Sequence, residues 1–111
     1  QLCCAGDTAD GRHWGRIRSH LGAPDVARLP IGAYAPRTLM ARVHTTPEEA
    51  VSGLRQLGAK QGIGMHFGTF RLTDEPMDEP VQRLHAATRA QGLAPGSMDV
   101  LHHGECRTLV W

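Results

Sequence analysis

The sequence predicts an α/β fold whose strands run at least partly parallel. Short apolar runs alternate with helical patterns in the order β-α-β-α-β-α-β(β). Each helical pattern is followed by a glycine (Gly22, Gly58, Gly92). The length of 111 residues, with 41% apolar and 21% charged side chains, suits one packed domain and excludes wholesale disorder.

The first strand is expected at Gln1–Ala5, closed by Gly6-Asp7-Thr8. Leu2-Cys3-Cys4-Ala5 reads like the middle of a buried strand in a chain that begins with Gln, as expected of a piece of a longer protein. A helix opens at Asp10 or Gly11, with Trp14, Ile17 and Leu21 on one face. Asp25–Ile31 is a second strand, followed by a Gly/Pro-punctuated loop through Arg37. The next helix has the clearest signals: Thr46 as N-cap, Pro47 at the first position and Glu49 completing a capping box. Its apolar stripe is Ala50, Val51, Leu54 and Leu57, and Gly58 stops it. Gly62–His66 is a third strand and Phe67–Glu79 a loop whose acidic residues Asp74, Glu75, Asp78 and Glu79 read as solvated. Pro80 starts a last helix with Val81, Leu84 and Thr88 inward. Ser97–Leu101 and Cys106–Trp111 are expected as two short strands around the turn His102-His103-Gly104-Glu105.

Charge and cysteine content exclude several function classes. Lys+Arg 12 against Asp+Glu 11 gives a net charge of +1, too balanced for a nucleic-acid footprint or a polybasic membrane patch. No apolar run approaches the ~18 residues of a membrane span. Three cysteines, two of them adjacent (Cys3, Cys4), build neither a disulfide framework nor a zinc knuckle and point to a reducing, cytoplasmic setting.

In sheets of this kind functional groups gather beyond the carboxyl ends of the strands. Asp7 and His66 are 59 positions apart yet fall on that one edge. Asp7 alone could cap the following helix, and a lone strand-end histidine is more often structural. Together, a carboxylate and an imidazole are the ligand mix of hydrolytic zinc sites. His13, His20 and His85 fall within helical patterns and read as solvent-facing.

Several segments carry a family resemblance in one order: Gly6-Asp7-Thr8, Leu29-Pro30-Ile31-Gly32-Ala33-Tyr34-Ala35-Pro36-Arg37, His44 with Pro47-Glu48-Glu49-Ala50, Met65-His66-Phe67-Gly68-Thr69-Phe70, and Leu72-Thr73-Asp74-Glu75-Pro76. The chain resembles the C-terminal half of a metallo-β-lactamase-fold hydrolase, in the branch of the N-acyl-phosphatidylethanolamine-hydrolysing phospholipase D and its bacterial relatives. The resemblance spans about Leu2 to Leu109. It implies an α/β fold that is one half of an αββα sandwich, with the main metal motif His-x-His-x-Asp-His lying upstream of Gly6. It implies a binuclear zinc hydrolase that cleaves a phosphodiester with metal-bound hydroxide.

By that resemblance Asp7 bridges the two metals, His66 binds the second, His44 lines the pocket near the substrate phosphate, and His103 matches a histidine of the closing His-Gly-Glu turn on the substrate side. A bridging carboxylate suits this chemistry because it holds two cations ~3.5–4 Å apart over one water. The chain departs from the family at Ala35, where Glu is common, at Thr38 and Leu39, where aromatic residues stand, and at Ala9-Asp10, where Gly-Tyr follows the motif. The expected substrate is a small-molecule or phospholipid phosphodiester, with a location peripheral to the membrane and room for a homodimer. The fragment alone is expected to be inactive, since two ligands do not close a binuclear site. Two alternatives stand beside this reading: a haloacid-dehalogenase-like phosphatase piece using Asp7, Asp10 and magnesium, and a non-catalytic α/β binding module.

Overall fold

A computed structural model describes residues 1–110. The elements are β1 (Leu2–Cys4), α1 (His13–Leu21), β2 (Val26–Pro30), α2 (Arg37–Met40), α3 (Pro47–Leu57), β3 (Gln61–Met65), α4 (Glu79–Ala90) and β4 (Met98–Val100). The four strands form one all-parallel sheet in the order β1-β2-β3-β4, with Ala27 opposite Gly62 and Gly62 opposite Met98. The mixed α/β class and the parallel sheet are therefore as the sequence predicts.

Sequential parallel strands joined by right-handed crossovers carry all their helices on one face. The core lies there. Ala27, Leu29, Ile31, Met98 and Val100 of the sheet side meet Trp14, Ala50, Val51, Leu54, Leu57 and Leu84 of the helices. Helix α3 packs against both neighbours and against β2 and β3. It can sit so close because β3 offers glycine beneath it: a Cβ on Gly62 would come within 2.6 Å of Met98 Sδ and 2.9 Å of Leu54 Cδ1. Helices α1, α3 and α4 share this core, whereas on the opposite face Leu2, Cys4 and Arg28 are exposed and Val26 and Pro30 are buried.

The capping box forms as expected, with Glu49 N–H donating to Thr46 Oγ1 at 3.1 Å and Thr46 N–H donating to Glu49 Oε2 at 2.9 Å. Three elements differ from expectation. Helix α1 starts at His13 because Asp10 does not cap it; its Oδ1 accepts the Trp14 indole N–H instead, at 2.7 Å. The loop after β2 contains the single turn α2. Residues 106–110 form no strand, since Arg107 ties that segment down through Asp99 and Glu105 at 3.0 and 2.9 Å rather than through a ladder; Trp111 lies outside the described residues.

Candidate metal centre at the carboxyl edge of the sheet

The sheet delivers three loops to one edge. β1 ends into Gly6-Asp7, and Gly6 takes the left-handed conformation (φ 64°) that turns the chain outward. β3 ends into His66, itself left-handed at φ 62°. Between them in sequence, α2 and its following turn bring up His44, whose N–H donates to Met40 C=O at 2.8 Å and whose C=O accepts from Arg37 Nη1 at 3.2 Å. The buried Thr45 hydroxyl donates to Thr8 C=O and so fastens the His44 turn beside Asp7.

The result is a three-residue cluster. His66 Nε2 lies 3.0 Å from Asp7 Oδ1. The His44 and His66 rings stack with centroids 5.0 Å apart and planes inclined by 25°. One potential ligand atom from each of Asp7, His44 and His66 falls within 4.8 Å of the others, and no further cluster of this kind occurs among the described residues. The Asp7 side chain is 63% exposed and that of His66 21%, so the carboxylate faces solvent while the imidazole is sunk behind it. His44 Nδ1 and His66 Nδ1 are buried with no hydrogen-bond partner. Unsatisfied buried nitrogens cost on the order of 1–3 kcal/mol each. The ring nitrogen of His66 that faces the Asp7 carboxylate is Nε2, and this carboxylate–imidazole pair is a donor pair that fits a zinc-type cation.

Strain gathers at the same edge. Ala33 (φ 64°) and His66 are non-glycine residues in left-handed backbone, each costing of order 1–3 kcal/mol. They touch through Gly32, where a Cβ would lie only 2.2 Å from the His66 carbonyl oxygen. Glycine is required at that close approach.

His66 also borders a cleft of about 380 Å³ lined largely by apolar groups, among them Phe67, Phe70, Leu72, Met77 and Pro80. On the other side Asp7 and His44 line an open depression with Thr8, His13, Arg42 and Val43. His103 stands apart from the cluster, its Nε2 3.2 Å from the Thr69 hydroxyl on the loop that leads away from His66. Asp10 lines the same depression as Asp7, and its Oδ1 accepts the Trp14 indole N–H at 2.7 Å.

Two features escaped the sequence. Thr45 carried no signal beyond its place before a helix cap. Glu75, expected to be solvated, is 9% exposed. Its Oε1 accepts the Tyr34 N–H at 3.1 Å and its Oε2 the Ala35 N–H at 3.0 Å. Burial pushes the Glu75 carboxyl up, but the Thr73 hydroxyl and the backbone N–H groups of Glu75, Ala35 and Tyr34 outweigh it and hold the group below the ordinary value. Nearby, the Tyr34 hydroxyl donates to Glu79, and Arg83 lies 4.5 Å over the Tyr34 ring while pairing with Glu48 at 2.7 Å. Burial first, and the Glu79 carboxylate second, push the Tyr34 hydroxyl up.

Comparison with known proteins bears on this edge. The family model described as beta-lactamase superfamily domain matches residues 1–67. An uncharacterized protein of Mycobacterium tuberculosis (strain H37Rv) is 38% identical over 89 residues, which are 78% of this chain and 23% of that protein. The N-acyl-phosphatidylethanolamine-hydrolyzing phospholipase D 1 of Caenorhabditis elegans is 41% identical over 70 residues, 62% of this chain and 20% of its own length. The mitochondrial enzyme of the same name from Saccharomyces cerevisiae is 34% identical over 70 residues, 62% of this chain and 15% of its own. The chain thus spans a quarter or less of the curated relatives it matches.

Proposed function

The chain belongs to the beta-lactamase superfamily domain family, and on that premise we propose that residues 1–111 are the C-terminal part of one metallo-β-lactamase-like domain in a phospholipase D-like hydrolase that cleaves a phosphodiester. The exposure of Leu2, Cys4 and Arg28 on the face of the sheet away from α1, α3 and α4 supports the domain assignment, because a parallel sheet is ordinarily covered on both faces. The likeness to two phospholipases D supports the hydrolytic reading. No helix among the described residues is long and apolar enough to cross a membrane.

The observation that carries the proposal is the convergence of Asp7, His44 and His66 at the carboxyl edge, with His66 Nε2 3.0 Å from Asp7 Oδ1. Asp7 and His66 would hold zinc, two ions in the whole protein, and zinc when bound would supply the charge that acidifies a water to about pKa 7 and neutralises phosphoryl oxygens. The chain's own residues do the rest. Asp7, open to solvent, orients the attacking water by accepting its hydrogen bond. His44, stacked on His66 at the edge of the open depression, faces the phosphate and passes a proton to the leaving oxygen. Arg42 offers its cation to the same depression. The apolar cleft beside His66 receives the apolar part of the ester, and His103 meets the substrate from the Thr69 side. The same reading includes a cytoplasmic, membrane-peripheral homodimer.

The test uses the full-length protein with bis(p-nitrophenyl) phosphate and, separately, vesicles containing N-acyl-phosphatidylethanolamine. Hydrolysis abolished by a chelator and restored by zinc is the expected result. Restoration on the first probe alone would place the substrate outside the phospholipids. No zinc-dependent hydrolysis of either would overturn the proposal.

A further inference from the structure

We propose that Glu75 is a positioning residue for His66: its buried carboxylate locks the segment after β3 onto the turn after β2 and thereby holds the His66 backbone in the conformation that presents its ring to Asp7. This inference rests on the metal-site reading above.

The connection can be followed atom by atom. Ala33 is left-handed, so the next two N–H groups, those of Tyr34 and Ala35, point the same way and form a concave anion-binding nest. Glu75 fills the nest with one oxygen on each N–H, at 3.1 and 3.0 Å. The Asp74 N–H answers by donating to Ala35 C=O at 3.2 Å. On the other side of Ala33 lies Gly32, in van der Waals contact with the His66 carbonyl and the Phe67 side chain. The nest, the strained Ala33, Gly32 and the strained His66 are therefore one continuous packed path.

Two chemical facts set this carboxylate apart from an ordinary loop glutamate. It is buried, yet none of its hydrogen bonds goes to a cationic side chain. Such an anion is stable only where fixed donors replace water. Removing it leaves two N–H groups of a strained turn unsatisfied, with the Asp74 N–H to Ala35 C=O bond and the Ile31 N–H to Met65 C=O bond at 2.9 Å as the remaining backbone ties along this path. The second tie on this loop, Tyr34 to Glu79 and Arg83 to Glu48, grips the ring and the helix end rather than the turn backbone.

The experiment measures zinc affinity of the full-length protein by chelator competition, together with hydrogen exchange at the Tyr34 and Ala35 amides. Glu75→Gln keeps the shape but sets an amide NH₂ against one of the two N–H donors. It is expected to weaken zinc binding about tenfold, the range seen when an outer partner of a metal ligand is lost, and to speed exchange at both amides. Leu57→Ala, a core truncation remote from the turn, should lower stability with zinc affinity unchanged. Wild-type zinc affinity in Glu75→Gln, with the two amides exchanging faster, would overturn the proposal.

A measurement on the wild-type protein guards against a variant that does not fold. Linkage is reciprocal, so zinc loading must raise protection at Tyr34 and Ala35. Equal protection with and without zinc would contradict the positioning role. A parent that takes up no zinc at all sinks the metal-site reading instead; in that metal-free protein, faster exchange of the two amides in Glu75→Gln than in wild type would support the lock, and equal exchange would overturn it.

Discussion

Helix α3 and the His66 turn lie close along the chain and follow opposite rules. In α3 the end signals and the apolar pattern agree with the fold: Thr46 caps, Pro47 opens, Glu49 closes the box, Gly58 stops the helix in left-handed backbone, and the apolar stripe is buried. At the His66 turn the preferences are broken. A histidine and an alanine occupy left-handed backbone, two imidazole nitrogens are buried without partners, and a carboxylate is buried without a cation. Strain of this sort persists only where neighbours impose it, and it collects at sites that do chemistry. The contrast teaches that α3 follows local preference while the carboxyl edge departs from it, as the proposed metal site requires.

The contrast can be broken from either side. The largest effect is expected for Leu54→Ala in the core of α3, which should cost about 2–5 kcal/mol in urea unfolding while activity per folded molecule stays at the wild-type level. Normal stability there would remove α3 from its structural role. His44→Ala should do the reverse: stability within about 1 kcal/mol of wild type, zinc content unchanged, and kcat lowered roughly 100-fold. Wild-type turnover would make His44 an ordinary loop residue.

Smaller effects sharpen the comparison. Thr46→Ala removes one half of the capping box and should cost about 1 kcal/mol, read as a lower urea midpoint with an unchanged slope. An unaltered midpoint would mean the box is redundant. The smallest effect is a pH dependence. The Glu75 carboxyl is held below its ordinary 4.5 in the folded chain, so its contribution is fully present above pH 4.5 and is lost as pH falls through the lower, folded value. Glu75→Gln should therefore flatten part of the acid-side loss of stability below pH 4.5. An acid limb identical to wild type would show that this carboxylate titrates alike in the folded and unfolded chains.

Much of this contrast can be read before any coordinates. The α3 boundaries follow from Thr46, Pro47, Glu49 and Gly58 because capping is decided within four residues. The shared edge of Asp7 and His66 follows from strand direction alone, since parallel strands end on one side. What is not legible depends on contacts distant in sequence. Glu75 reads as solvated because loop carboxylates usually are; its burial is set by a nest some forty residues away. Asp10 has the position of a helix cap, but the Trp14 indole captures its carboxylate. The segment 106–110 has strand-like composition, yet Arg107 ties it to Asp99 and Glu105 instead of a neighbouring strand. The closeness of His44 to the pair rests on the Thr45–Thr8 bond, which joins positions 37 apart.

The central claim is that Asp7 and His66, remote in sequence, grip the same cation site. Zinc equivalents in the full-length protein, measured for wild type, Asp7→Asn, His66→Ala and the double variant, test it most directly. Each single change should remove at least one equivalent, and the double variant should lose no more than the worse single one, because residues sharing a site are not additive. Wild-type zinc content in both single variants would contradict it.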